Sequence, residues 1–198
     1  NTLVWKSFSF ENAISVASNM FYIGNLATMG NWMVSGLLDK HSRLKIGLIE
    51  SGLGWVPFGV EAMEHQFDEM RADKAHAPER RPWDYFRDHF WTTFWFEKIG
   101  PQTQLDVVGV DKVLFETDYP HPTSIYPDVQ ARIVERMGDH PYEVRKKVLQ
   151  DNATTLWQDA LAQAKKENAK WPYDWVKGVD YPHKHERGNV TGQIVLKD

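Results

Sequence analysis

Residues 113–128 read VLFETDYPHPTSIYPD. A short apolar run, Val113-Leu114-Phe115, has the composition of a buried strand. It does not end in an ordinary turn. Its exit carries Glu116, Asp118 and His121 within six residues, stiffened by Pro120 and Pro122. Such an exit can hold polar groups in fixed positions.

Upstream, RLKIGLIESG at 43–52 has a similar design. Leu44, Ile46, Leu48 and Ile49 form an apolar strand closed by Glu50-Ser51-Gly52. Between the two, WTTFWF at 91–96 is aromatic and β-branched, which predicts a third strand. Helical spacing fills the intervals. Apolar residues from Phe10 to Leu38 predict one or two helices, weakened by Gly24, Gly30 and Gly36. Val60, Met63, Phe67 and Met70 recur at steps of three, four and three, which gives a helix with one apolar face. RADKAHAPERRP at 71–82 reads as a polar connector, and a short helix is expected near Gln104–Val108. Val129, Ile133, Val134 and Met137 predict another helix, and Pro141 starts a further one.

Near-continuous apolar strands separated by helices predict an α/β fold with a parallel sheet covered by helices. In such folds ligands gather at the carboxyl ends of the strands. Glu50, Glu97 and Asp118 each stand at or just past a predicted strand end. For Glu97 the competing reading is an acid favoured by a helix N-terminus.

The totals narrow the function classes. The 198 residues are enough for one domain with a core, and 42% apolar with 25% charged residues is ordinary globular composition. A net charge of −4 implies no basic face, so no nucleic-acid partner is expected. No apolar run is long enough to span a bilayer, so no membrane partner is expected either. The first residues lack the features of a signal peptide, and a cytoplasmic location is the expectation. The absence of cysteine excludes disulfides and thiolate metal sites. Nine tryptophans are mostly packing residues; Trp55, just after a strand exit, is the candidate for an aromatic pocket wall.

Asp118 is the leading chemical candidate. An aspartate at a buried strand end can bind a divalent metal and take a proton from metal-bound water; the alternative is a turn residue before Tyr-Pro. His121 can orient Asp118, touch substrate or transfer a proton. Glu50-Ser51-Gly52-Leu53-Gly54-Trp55 is glycine-rich, but no Gly-Lys-Ser/Thr follows and Ser51 lacks the nucleophile-elbow pattern. His183-Lys184-His185 has chelating spacing, yet no apolar strand precedes it, and it reads as a solvated tail.

The blocks KIGLIESGLGWVPFGVEAMEHQFDEM, YFRDHFWTTF, DKVLFETDYPHPTSIYPD and VRKKVLQDNATTLW occur in this order. They resemble the C-terminal half of amidohydrolase family 2, the metal-dependent hydrolases related to aminocarboxymuconate-semialdehyde decarboxylase. The resemblance implies the C-terminal part of a (β/α)8 barrel, about three βα units over residues 1–158. Residues 159–198 would add a helix extension and a wrapping tail. It implies a divalent metal, with zinc the expected ion, and Asp118 as metal ligand and proton acceptor. Glu50, Trp55 and His121 become candidates to face a small-molecule substrate, an organic acid or ring compound. Decarboxylase members carry His-Gly-Gly where this chain has Glu50-Ser51-Gly52. The family's first-strand His-x-His and fifth-strand histidine have no counterpart here. The expectation is therefore an incomplete barrel, partnered by its missing N-terminal half or by another subunit. The rival expectation is a noncatalytic assembly element with an aromatic face.

Overall fold

The protein is described by a computed structural model that covers residues 5, 7–69, 78–121 and 123–166. Three helices come first: α1 (Phe10–Ser18), α2 (Phe21–Val34) and the short α3 (Leu37–Lys40). Gly24 and Gly30 lie inside α2, where tertiary packing overrides their low helix propensity. Strand β1 (Ile46–Leu48) leads into α4 (Val56–Glu69). Then follow α5 (Pro82–His89), β2 (Phe90–Phe94), α6 (Ile99–Thr103) and α7 (Leu105–Val108). A single 3-10 turn, Val110–Lys112, enters β3 (Val113–Phe115). The chain closes with α8 (Val129–Met137), α9 (Tyr142–Lys146), a π-helical segment Lys147–Asp151 and α10 (Asn152–Lys166).

The strands form one parallel sheet in the order β1-β2-β3. The register pairs Ile46 with Phe90, Leu48 with Thr92, Thr92 with Val113 and Phe94 with Phe115. Paired residues share a face, and successive residues alternate between faces. Ile46, Leu48, Phe90, Phe94, Val113 and Phe115 thus lie on one face. Leu48, Phe90, Phe94 and Val113 belong to the core, with Met29 and Met33 of α2, Val60 of α4, Phe86 of α5 and Met137 of α8, and the partly buried Ile46 and Phe115 pack against it. The opposite face carries Trp91, Thr93 and Leu114, continued by Glu116. Close approach of α4 to α2 depends on Gly59, where a Cβ would stand 2.6 Å from Leu26 Cδ1.

Helix α5 falls where the sequence reading had only the end of a connector. Pro82 starts it, and Tyr85, Phe86 and His89 are buried along one side. Its apolar face covers fewer than three turns and adjoins β2 without a break, so the aromatic run hid its period. The helix expected near Gln104–Val108 is two short helices. Strand β1 is shorter than its apolar run, β2 starts one residue before the expected 91–96 and ends two residues before its end, and β3 coincides with Val113–Phe115. Residues 167–198, including Trp171, Trp175 and the His183-x-His185 pair, lie outside the described residues.

Candidate functional site

The three strand exits lie side by side, and two of them bend through unusual backbone. Glu50 (φ 55°) and Asp118 (φ 58°) are the non-glycine residues with left-handed conformation among those described. Such a conformation costs on the order of 1–3 kcal/mol and collects at functional sites.

Asp118 follows β3 and turns its side chain inward; the side chain is 7% exposed. Thr123 donates its hydroxyl hydrogen to Asp118 Oδ2. That commitment leaves Thr123 Oγ1 to accept from His121, whose Nδ1 lies 2.7 Å away. His121 Nδ1 is also 3.2 Å from Asp118 Oδ2, while the ring is 62% exposed. The loop is closed by His121 N–H donating to Asp118 O (2.8 Å) and Ser124 Oγ–H to Thr117 O (2.9 Å). Among the described residues, no hydrogen bond reaches Asp118 Oδ1, which leaves that oxygen for a ligand.

Glu116 is the residue that sequence reasoning left out of the site. It sits on the same face as Thr93, which donates its hydroxyl to Glu116 Oε1 at 2.6 Å. Glu50 N–H donates to the same oxygen at 3.2 Å and to Thr93 Oγ1 at 3.1 Å. One carboxylate therefore ties all three strand exits together. Burial pushes its pKa up, the two donors oppose the shift, and the charges of Glu50 and Asp118 add to it. Its role has no signal in the sequence; the register places it there, because Thr93 pairs with Leu114 and Glu116 lies two residues further on the same face.

Glu97 does something else. Its carboxylate accepts Leu53 N–H (2.9 Å) and Gly54 N–H (2.8 Å) in the turn that enters α4. It is thus an acid at the entry to a helix, though not to the helix that follows it in sequence. A Cβ on Gly52, whose φ is +75°, would meet the Glu97 carboxyl carbon at 2.8 Å. The glycine-rich exit leaves room for this carboxylate. Burial raises the Glu97 pKa against the lowering effect of the two backbone donors.

Trp55 is buried at 8% exposure and stacks with Tyr22, ring centroids 6.3 Å apart. Its environment is the core. Ser51 is also buried, and its hydroxyl accepts from Asn25 Nδ2 at 2.9 Å. Among the described residues, one cavity of about 410 Å³ is apolar and lies among Met33, Met63, Phe67 and Tyr85. Another, about 380 Å³, lies beside the 124–128 loop with Phe96, Lys98, Arg132 and Arg136. Neither is lined by Glu50, Asp118 or His121.

Among the described residues no group of three or more His, Asp or Glu side chains is arranged to hold a metal ion. Asp118 fits as a single donor of such a site, through Oδ1. It does not make a site by itself.

A family model described as Amidohydrolase matches residues 23–158. Gamma-resorcylate decarboxylase from Rhizobium sp. (strain MTP-10005) is 34% identical over 91 residues, which cover 44% of this chain and 27% of that enzyme. A crystal structure of an amidohydrolase from Mycobacterium avium subsp. paratuberculosis K-10 superposes with a TM-score of 0.60 at 22% identity, covering 75% of this chain and 36% of that one. A dihydroxybenzoic acid decarboxylase from Polaromonas sp. JS666, solved with bound manganese and the inhibitor 2-nitroresorcinol, gives a TM-score of 0.56 at 22% identity, with 79% and 48% covered. The two structural likenesses speak to the fold. This chain spans less than half the length of each of these relatives.

Proposed function

Because the chain belongs to the amidohydrolase family, whose model it matches over residues 23–158, we propose that it is the carboxyl-terminal part of a metal-dependent enzyme. Its three parallel strands would be part of an eight-stranded barrel completed by further polypeptide. The reaction we assign is non-oxidative decarboxylation of a small aromatic acid of the dihydroxybenzoate class. The 34% identity to a gamma-resorcylate decarboxylase supports that class.

The observation that carries the reading is Asp118. It is a nearly buried carboxylate at a strand exit, with one oxygen braced by Thr123 and His121 and the other open. A divalent ion in this position would supply Lewis acidity to polarise the substrate. Asp118 would be one of its ligands, the others lying outside the described residues. The Asp118 carboxylate would also hold and pass the proton exchanged with substrate. Thr123 and His121 orient the carboxylate, and exposed His121 stands where substrate enters. Glu50 lines the neighbouring exit. Trp55, buried against Tyr22, would form the wall behind this exit. For the ion, zinc was the expectation from sequence, and manganese is the ion bound in the Polaromonas enzyme.

A second reading, hydrolysis, is favoured by one feature. Glu50-Ser51-Gly52 stands where decarboxylase members carry His-Gly-Gly. The test uses the intact protein. With 2,6-dihydroxybenzoate it should release carbon dioxide, and Asp118→Asn should abolish turnover while leaving the thermal unfolding curve in place. Normal rates in that variant would overturn the assignment of Asp118. Turnover of esters or lactones without carbon dioxide release from any benzoate would select hydrolysis.

A further inference from the structure

We propose that Glu116 is the positioning residue of this site, holding the Glu50 backbone in its left-handed conformation and so setting Glu50 against Asp118. The inference rests on the reading that these strand exits face the substrate. Its basis is geometric. Glu116 follows β3, yet its Oε1 receives Thr93 Oγ1–H at 2.6 Å from β2 and Glu50 N–H at 3.2 Å from the exit of β1. The carboxylate crosses the middle strand to reach the far one. Its two donors are themselves joined, since Glu50 N–H also lies 3.1 Å from Thr93 Oγ1. Glu50 is exposed and has φ 55°, a conformation a glutamate adopts only when something external holds it. A donor shared between Thr93 and Glu116 is that external hold. The backbone of Glu50 is fixed while its side chain stays free to face the site.

Glu116 stands two residues before Asp118, so one carboxylate anchors the β1 exit and the next presents the open oxygen. Fixing the two exits through one group makes their separation a property of the sheet. Groups that orient a metal-binding or reacting side chain typically contribute roughly 10- to 100-fold in activity.

The test compares Glu116→Gln, Glu116→Ala and Thr93→Val in the intact protein. Glutamine keeps an acceptor oxygen for Thr93 and Glu50; alanine removes it. We expect hydrogen exchange at the Glu50 amide to lose protection in Glu116→Ala and to keep it in Glu116→Gln. Turnover, measured well below the melting temperature, should fall roughly 10- to 100-fold in kcat for alanine, with KM little changed, and recover with glutamine. Thr93→Val serves if alanine does not fold, and it should weaken protection at the same amide. Unchanged protection of the Glu50 amide in Glu116→Ala, or in Thr93→Val if that is the variant that folds, overturns the inference whatever the activity. Loss of protection with normal kcat reduces Glu116 to a structural tie and also overturns it. Failure of Asp118→Asn to lose activity is a separate result, and it sinks the functional reading instead.

Discussion

The Glu97 carboxylate receives the N–H groups of Leu53 and Gly54, which have no other acceptor at the entry to α4 among the described hydrogen bonds. Truncation in Glu97→Ala orphans both donors. The expected loss is about 1–3 kcal/mol of stability, read from a denaturant midpoint. The same group predicts a pH effect. Burial raises its pKa above the ordinary 4.5, so the folded protein holds that proton more tightly than the unfolded chain does. Its contribution to stability is fully present below 4.5 and is lost as pH rises through the raised value. Unfolding free energy measured from pH 4 to 7 should therefore fall less steeply in Glu97→Gln than in the wild type. Asp118 could be picked out from sequence because apolar residues precede it and prolines follow it. The roles of Glu97 and Glu116 could not. Their partners lie 44 and 66 residues away in the chain, and only the sheet register brings them together.

At the level of elements, Asn152 illustrates how the helices are fastened to the sheet. It is buried at the start of α10, and its Nδ2 donates to Val110 O and Val113 O, both at 2.7 Å. It thus locks the π-helical segment and α10 against the entry to β3. Asn152→Ala leaves two carbonyl groups short of a donor and should cost about 1–3 kcal/mol, seen as a lower denaturant midpoint with an unchanged slope. Read from the sequence alone, Asn152 is only a helix residue in an Asn-Ala-Thr triplet. The three strands were legible because each is a concentrated apolar run. Helix α5 was not, because its aromatic face runs directly into the aromatic β2. Trp55, a candidate pocket wall by its place after a strand exit, is buried and meets Tyr22 of α2.

On the scale of the whole molecule, the described sheet has three parallel strands, and β1 and β3 are its edges. Parallel sheets in barrels have no edges, and open edges invite pairing with other chains. Large apolar side chains also stand exposed, among them Phe10, Ile23, Val34, Phe58 and Ile99. Under the proposed reading these edges and side chains are covered by the remainder of the barrel. The 198-residue chain prepared alone should then self-associate on size-exclusion chromatography and bind no stoichiometric divalent ion. A stable monomer would favour the noncatalytic reading. The most direct test of the central claim, that Asp118 anchors a metal, is elemental analysis of the intact protein and its Asp118→Ala variant after dialysis against metal-free buffer. The account predicts close to one divalent ion per site in the wild type and its loss in the variant, with the fold retained by circular dichroism. Equal metal content in the two proteins, with turnover unimpaired, would contradict it.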